Sequence, residues 1–171
     1  MSKDKDLVSR IVEQLEAYRK RAEAANQRFA EEEEIKKDQA PSIWQALGQW
    51  MKKLCEDCNA QARTNLLEFK AGESYEFDVV NRVPSQPDTL HVVFNPPAYT
   101  ITYQRKSSGR FAKEADTTLE LIKGKANGTF CPKVDGKKFC YTLLDDTTTT
   151  MTVEEMGEQL IKALVPELAT G

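Results

Sequence analysis

The stretch from residue 7 to residue 37 limits the fold more than any other. It holds neither glycine nor proline, and Ile11, Leu15, Tyr18, Ala22, Ala25 and Phe29 recur at alternating steps of four and three. That spacing is the seam of a heptad helix. About 30 residues at 1.5 Å each make a rod of roughly 45 Å, longer than the core of a small domain. Such a rod either protrudes or lies along another helix. Pro41 follows, and Ile43, Leu47, Trp50, Met51, Leu54, Cys58 and Ala62 resume the same period. Because proline lacks an N–H and clashes with the preceding turn, the pattern reads as a break at Pro41 and a second helix over 42–68. The short connection favours an antiparallel helical hairpin, with Gly72 ending the helical region.

Beyond Gly72 the period becomes two. Tyr75, Phe77 and Val79 alternate with Glu76, Asp78 and Val80; Leu90, Val92 and Phe94 alternate with His91 and Val93; Tyr99, Ile101 and Tyr103 alternate with Thr100, Thr102 and Gln104. Each run is a strand with one buried face. Asn95-Pro96-Pro97 and Ser107-Ser108-Gly109 are turns. Leu119 and Leu121 mark a further strand. Asn127-Gly128 and Asp135-Gly136 are hairpin signals, with strands over 129–133 and 137–143. The expectation is a meander of about six antiparallel strands.

Asp145 to Thr150 reads as a polar connection. Thr152 and Glu155 then match a capping box, and Val153, Met156, Leu160 and Leu164 form one apolar stripe that ends before Pro166. An amphipathic helix after a meander covers the sheet's apolar face. The fold class is therefore α+β, with a helical hairpin over 1–70 and an antiparallel β-sheet domain with its closing helix over 71–171. The order of strands and helix over 73–165 resembles pleckstrin-homology-like domains in topology alone. The tryptophan common in that family's closing helix is missing, and the resemblance implies no function.

With 40% hydrophobic and 30% charged residues the chain is globular, and a formal net charge of -3 gives no strong field toward nucleic acid or an acidic membrane. No apolar run reaches the roughly 18 residues of a spanning helix. The first residues lack the apolar stretch of a secretory signal, and Ser2 stands where a myristoylation signal has glycine. A cytoplasmic location is expected.

Four groups of residues are candidates for chemistry. Cys55 and Cys58 form a C-x-x-C pair that Cys131 and Cys140 would complete as a zinc set. The first pair falls inside a helix, however, and Cys58 lies on its apolar stripe, where free cysteine packs as a small hydrophobe. No metal or other cofactor is expected. A two-residue turn at Asp135-Gly136 would set Cys131 opposite Cys140; a glycine-bulge loop would turn them to opposite faces, and Pro132 favours the bulge. His91, the one histidine, falls on the polar face of its strand and reads as solvated. Asp145-Asp146 lacks further ligands at calcium-loop spacing.

Arg105, Lys106 and Arg110 cluster near one turn, with Tyr99 and Tyr103 just before it. Aromatic and basic residues together suit single-stranded nucleic acid, but both tyrosines share the core face of Ile101, so nucleic acid is not the expected partner. Trp44 and Trp50 anchor either the core or a partner surface. Ile11, Leu15, Tyr18 and Phe29 either pack on the second helix or bind a second chain or partner helix. The sequence holds no G-x-S-x-G, P-loop or G-x-G-x-x-G. The expected function is a non-enzymatic protein-interaction or oligomerisation module. The alternatives are a small ligand in an apolar pocket between sheet and C-terminal helix, or an enzyme using Cys55, Cys58 or His91.

Overall fold

A computed structural model describes residues 2–84, 87–107 and 126–170. The largest departure from expectation is at the start. Ser2–Ala62 is one α-helix, α1, with Pro41 inside it, so the helical hairpin is replaced by a single rod. A proline in a helix interior removes one backbone hydrogen bond, here to the carbonyl of Lys37 four residues earlier. Pro41 and Lys37 are both exposed, so the cost of the lost bond is that of a solvent-facing carbonyl rather than a buried one. No glycine lies near the proline to reverse the chain. Ala40, Trp44 and Leu47, on either side of it, are all buried. Their packing holds the helical path against the cost of the proline.

The helix also stops earlier than expected. Arg63 has φ +56°, the left-handed conformation that ends a helix. Asn59, in the last turn, then ties down the next segment. Its Oδ1 accepts from the Leu66 and Leu67 amides at 2.8 and 3.0 Å, and its Nδ2 donates to the Leu67 carbonyl at 2.7 Å. Leu67–Ala71 is therefore a strand, β1, where the periodicity had continued the helix.

Six more strands follow: β2 (Glu76–Asn81), β3 (Asp88–Asn95), β4 (Thr100–Ser107), β5 (Asn127–Asp135), β6 (Lys138–Leu143) and β7 (Asp146–Met151). They form one antiparallel sheet in chain order, β1-β2-β3-β4-β5-β6-β7. The expected strand at Leu119 and Leu121, the Ser107-Ser108-Gly109 turn beyond Ser107, and Arg110 lie outside the described residues. β7 is the threonine run read above as a connection. Thr150 pairs with Thr142, and Met151 with Tyr141. Asn127-Gly128 is not a hairpin tip; it opens β5 opposite Gln104 and Tyr103.

The β5–β6 register also differs from both alternatives. Asp135 pairs with Lys138, so Gly136 (φ +64°) and Lys137 make the turn, a left-handed start that suits glycine. Cys131 faces Thr142, and Cys140 faces Lys133. Both thiols thus lie on one face, offset along the ladder, and both are free.

One face of the sheet is the core. Phe77, Val79, Leu90, Val92, Phe94, Ile101, Tyr103, Phe130 and Tyr141 lie there, all buried. Two helices cover it. The second half of α1 supplies Ala40, Trp44, Leu47, Met51 and Cys55, and helix α2 (Val153–Leu164) supplies Met156, Leu160, Ala163 and Leu164. α2 begins at the expected capping box: Thr152 Oγ1 accepts from the Glu155 amide, and Glu155 accepts from the Thr152 amide, each at 3.2 Å. The helices touch through Trp50, whose ring occupies the space above Gly157; a side chain at 157 would overlap it.

Candidate functional site

The free half of α1 is the surface to explain. Every side chain from Lys3 to Glu31 is exposed. Four of these residues are the seam named above: Ile11, Leu15, Tyr18 and Phe29 are 47, 62, 71 and 65% exposed. Leu7, Val8 and Val12 flank them and are exposed as well. None of them packs against a second helix of this chain, because α1 does not fold back.

The phase of the helix gives this stripe its meaning. Eighteen residues make about five full turns, so residues eighteen apart lie on one line along the rod. Ile11, Phe29 and Leu47 share such a line. Ala22, Ala40 and Cys58 share another, and Leu15 lies above Met51. Leu47, Met51 and Ala40 are fully buried under the sheet. The exposed stripe is thus the continuation of the stripe that the sheet covers. The change falls at Glu32, Glu33, Ile35 and Lys36, which are half-buried. There the Gly136-Lys137 turn meets α1 across a hollow lined by Arg28, Ile35 and Gln39.

Charge along the free half is mixed and locally paired. Arg19 binds Glu16 at 2.7 Å and lies 3.9 Å from Glu23, and Lys36 lies 3.3 Å from Glu33. Pairs this exposed add little to stability, but they fix where charge stands beside the seam.

The other candidates are placed elsewhere. The Trp44 ring stacks on Phe77 and Phe94, with centroids 5.1 and 5.7 Å apart. Trp50 is half-buried against α2. Trp44 thus anchors α1 to the sheet, and Trp50 anchors it to α2. Arg105 is 5% exposed and donates from Nη1 to the Ala163 carbonyl at 3.3 Å. That carbonyl is in the last turn of α2, where a helix favours a cation. Lys106 is exposed on the opposite face. Arg105 and Lys106 do not converge on one basic patch.

The cysteines do not converge either. Cys55 is in α1 on the core side, whereas Cys131 and Cys140 stand on the other face of the sheet, so the sheet separates the two pairs. Among the described residues no group of three or more His, Cys, Asp or Glu side chains is placed to hold a metal. Burial, with Cys58 and Glu56 nearby, pushes the Cys55 thiol up to about 11 from its ordinary 9.0, which makes it a poor nucleophile at neutral pH.

His91 is not simply solvated. It stands in a polar row across the face of the sheet opposite the core, with Asp78 on one side and Gln104 on the other. Its Nδ1 is 2.5 Å from Asp78 Oδ1, and its Nε2 is 3.7 Å from Glu76 Oε2. The alternation of β2 carries the signal: Glu76 and Asp78 are two apart and share the face of His91. Beside this row lies a cavity of about 700 Å³ with mixed walls, polar from His91, Thr102, Gln104, Asn127 and Gln159 of α2 and apolar from Val93, Leu143 and Leu144.

No protein-family model matches the chain, and neither a curated protein nor a solved structure does. Among the described residues no helix is long and apolar enough to cross a membrane.

Proposed function

We propose that this chain is a non-enzymatic interaction module that docks through the free half of α1. The observation that supports the reading is the continuous stripe: one helix face, with one apolar pattern, is covered by the sheet in its second half and bare in its first. In proteins most helical stability comes from packing of an apolar face against a neighbour. Fully burying a large apolar side chain is worth about 1.5–3 kcal/mol, so covering seven of them yields a gross gain on the order of 10 kcal/mol. That is comparable to the roughly 4–15 kcal/mol that association costs. A helical partner presenting its own apolar stripe is the natural occupant.

Amide hydrogen exchange over residues 7–29 tests this reading. The purified full-length chain is followed at rising concentration, and then mixed with extract of the cells that produced it. Protection that appears in either series, and that is lost in Leu15→Asp, supports docking. Exchange as fast as in a free peptide under every condition rejects it.

The cavity beside His91 favours a second reading, in which a small ligand binds there. Its mixed walls, with Val93, Leu143 and Leu144 beside His91 and Gln104, suit a molecule with both polar and apolar parts. The space expected for an apolar pocket between sheet and α2 is instead occupied by Met156, Leu160 and Leu164, which are fully buried. Extra mass in native mass spectrometry that His91→Ala abolishes supports this reading. A bare chain when isolated from several hosts counts against it.

A further inference from the structure

We propose that the free half of α1 pairs with the same half of a second copy of this chain, the two helices antiparallel and centred near Lys20. This rests on the docking reading above and names its partner. Three features of the structure converge on it.

The first is phase. The free stripe lies on the same line of the helix as the stripe beneath the sheet. A parallel partner in register would bring its own sheet to the same side at the same height. Two sheets would then have to fit between helices packed about 10 Å apart. An antiparallel partner places the two sheets at opposite ends of the rod, where neither obstructs the other.

The second is length. With Ile11 of one chain opposite Phe29 of the second copy, Asp4 arrives opposite Lys36. Lys36 is the last of the half-buried residues that begin at Glu32. The paired span from 4 to 36 is about 50 Å, and its outermost turn, 32–36, is the stretch that each chain already half-covers.

The third is side-chain fit in that register. Ile11 meets Phe29, Leu15 meets Ala25, and Tyr18 meets Ala22, so two of the three layers set a large residue against a small one. Toward the ends, Val8 meets Glu32 and Asp4 meets Lys36 at seam positions, while Lys5 lies beside Glu33 and Leu7 beside Ile35, each across the two chains. Sliding by one heptad sets charge against the larger apolar residues of the seam. One direction sets Glu32 against Leu15 and Lys36 against Ile11; the other sets Asp4 against Phe29. At the centre Arg19 and Arg21 approach their mates, a repulsion that lowers affinity. Arg19 carries its own counter-charges there, Glu16 at 2.7 Å and Glu23 at 3.9 Å.

Disulfide trapping on the full chain tests this arrangement, with wild-type protein as the background for the native cysteines. Positions 15 and 25 are exposed, so Leu15→Cys and Ala25→Cys leave the fold intact. A mixture of the two variants is expected to form cross-linked dimers under mild oxidation, and each variant alone is expected to stay at background. Sedimentation should show a dimer that Leu15→Asp weakens by at least about 100-fold, as expected for a charge forced into a buried seam. Self-cross-linking of either single variant means a parallel pair and overturns the proposal. A chain that sediments as a monomer at high micromolar concentration also overturns it. Exchange protection gained in extract would then still uphold docking to a different partner.

Discussion

The two halves of α1 carry the same apolar line and meet opposite fates. Leu47 and Phe29 are five turns apart on that line, yet one is fully buried and the other 65% exposed. Their positions on the helix do not distinguish them, although Leu47 has Trp44, Trp50 and Met51 as neighbours and Phe29 has Arg28 and Glu31–Glu34. The difference lies in what the rest of the chain can reach: the sheet covers the helix from about Ala40 onward, and the rod outruns it. Helical periodicity reports that a face will be covered. It does not report by what.

That contrast can be broken experimentally, and the pair of sites on one line gives the largest expected effect. Leu47→Ala should lower unfolding free energy by about 3–5 kcal/mol, since it opens a cavity between helix and sheet. Phe29→Ala should leave the denaturant midpoint of the sheet domain within about 0.5 kcal/mol of wild type, while weakening association. Equal losses from the two would mean that the first half of α1 packs on its own chain.

Pro41 stands where the halves join. Pro41→Ala restores the amide that Lys37's carbonyl lacks, and should raise stability by about 2 kcal/mol, the helix gain of roughly 3 reduced by the looser unfolded chain. A lower melting temperature would show that the proline shapes the path of the rod rather than merely being tolerated in it. Gly157→Ala should act in the opposite direction. Alanine favours the helix by about 1 kcal/mol, but its methyl group overlaps the Trp50 ring. Overpacking of this kind costs about 1–3 kcal/mol, so a net loss of about 1 kcal/mol is expected in a thermal melt. Gly157→Ala together with Trp50→Leu should recover part of it.

The smallest effect is chemical. Cys55 belongs to the covered half, and its thiol is pushed up to about 11. Near pH 8 it should react with iodoacetamide about 100-fold more slowly than a cysteine installed at Leu15 in the bare half, in line with its smaller thiolate fraction. The linkage has a definite sign. The raised value favours the neutral thiol in the folded state, so its contribution to stability is full below pH 9 and is lost as pH rises toward 11. Cys55→Ala should remove that slope.

Some of this molecule was legible residue by residue. The alternation in β2, β3 and β4 marked the core face from Phe77 to Tyr103, though Val80 on the other face is buried as well and Tyr75 is exposed, and Thr152 with Glu155 announced the start of α2. Two strands were hidden for different reasons. In β1, Leu66 and Leu67 continue the helical spacing, and the turn that interrupts it depends on Arg63 in a left-handed conformation and on Asn59 bonding backward, with no glycine to signal either. β7 is nearly all threonine, so it has no alternation to detect. Pro41 misled because its local cost is certain while the packing that offsets it is tertiary. In the candidate surface, Ile11, Leu15, Tyr18 and Phe29 were identified as a seam from spacing alone. That they are bare followed only from the path of the chain. The contact of His91 with Asp78 depended on the pairing of β2 with β3, a register that composition does not encode.

The unbroken course of α1 has a consequence for change in chain length. A helix with no hinge between its halves transmits rotation as a shaft does. Each residue inserted between 30 and 40 turns the bare stripe by about 100° relative to the sheet and advances it by 1.5 Å. A two-residue insertion would aim the stripe away from its former side, whereas eighteen residues would lengthen the shaft by about 27 Å and restore its aim. An insertion here that leaves the stripe's aim unchanged must come in steps that conserve angle, and only such steps lengthen the rod without turning it.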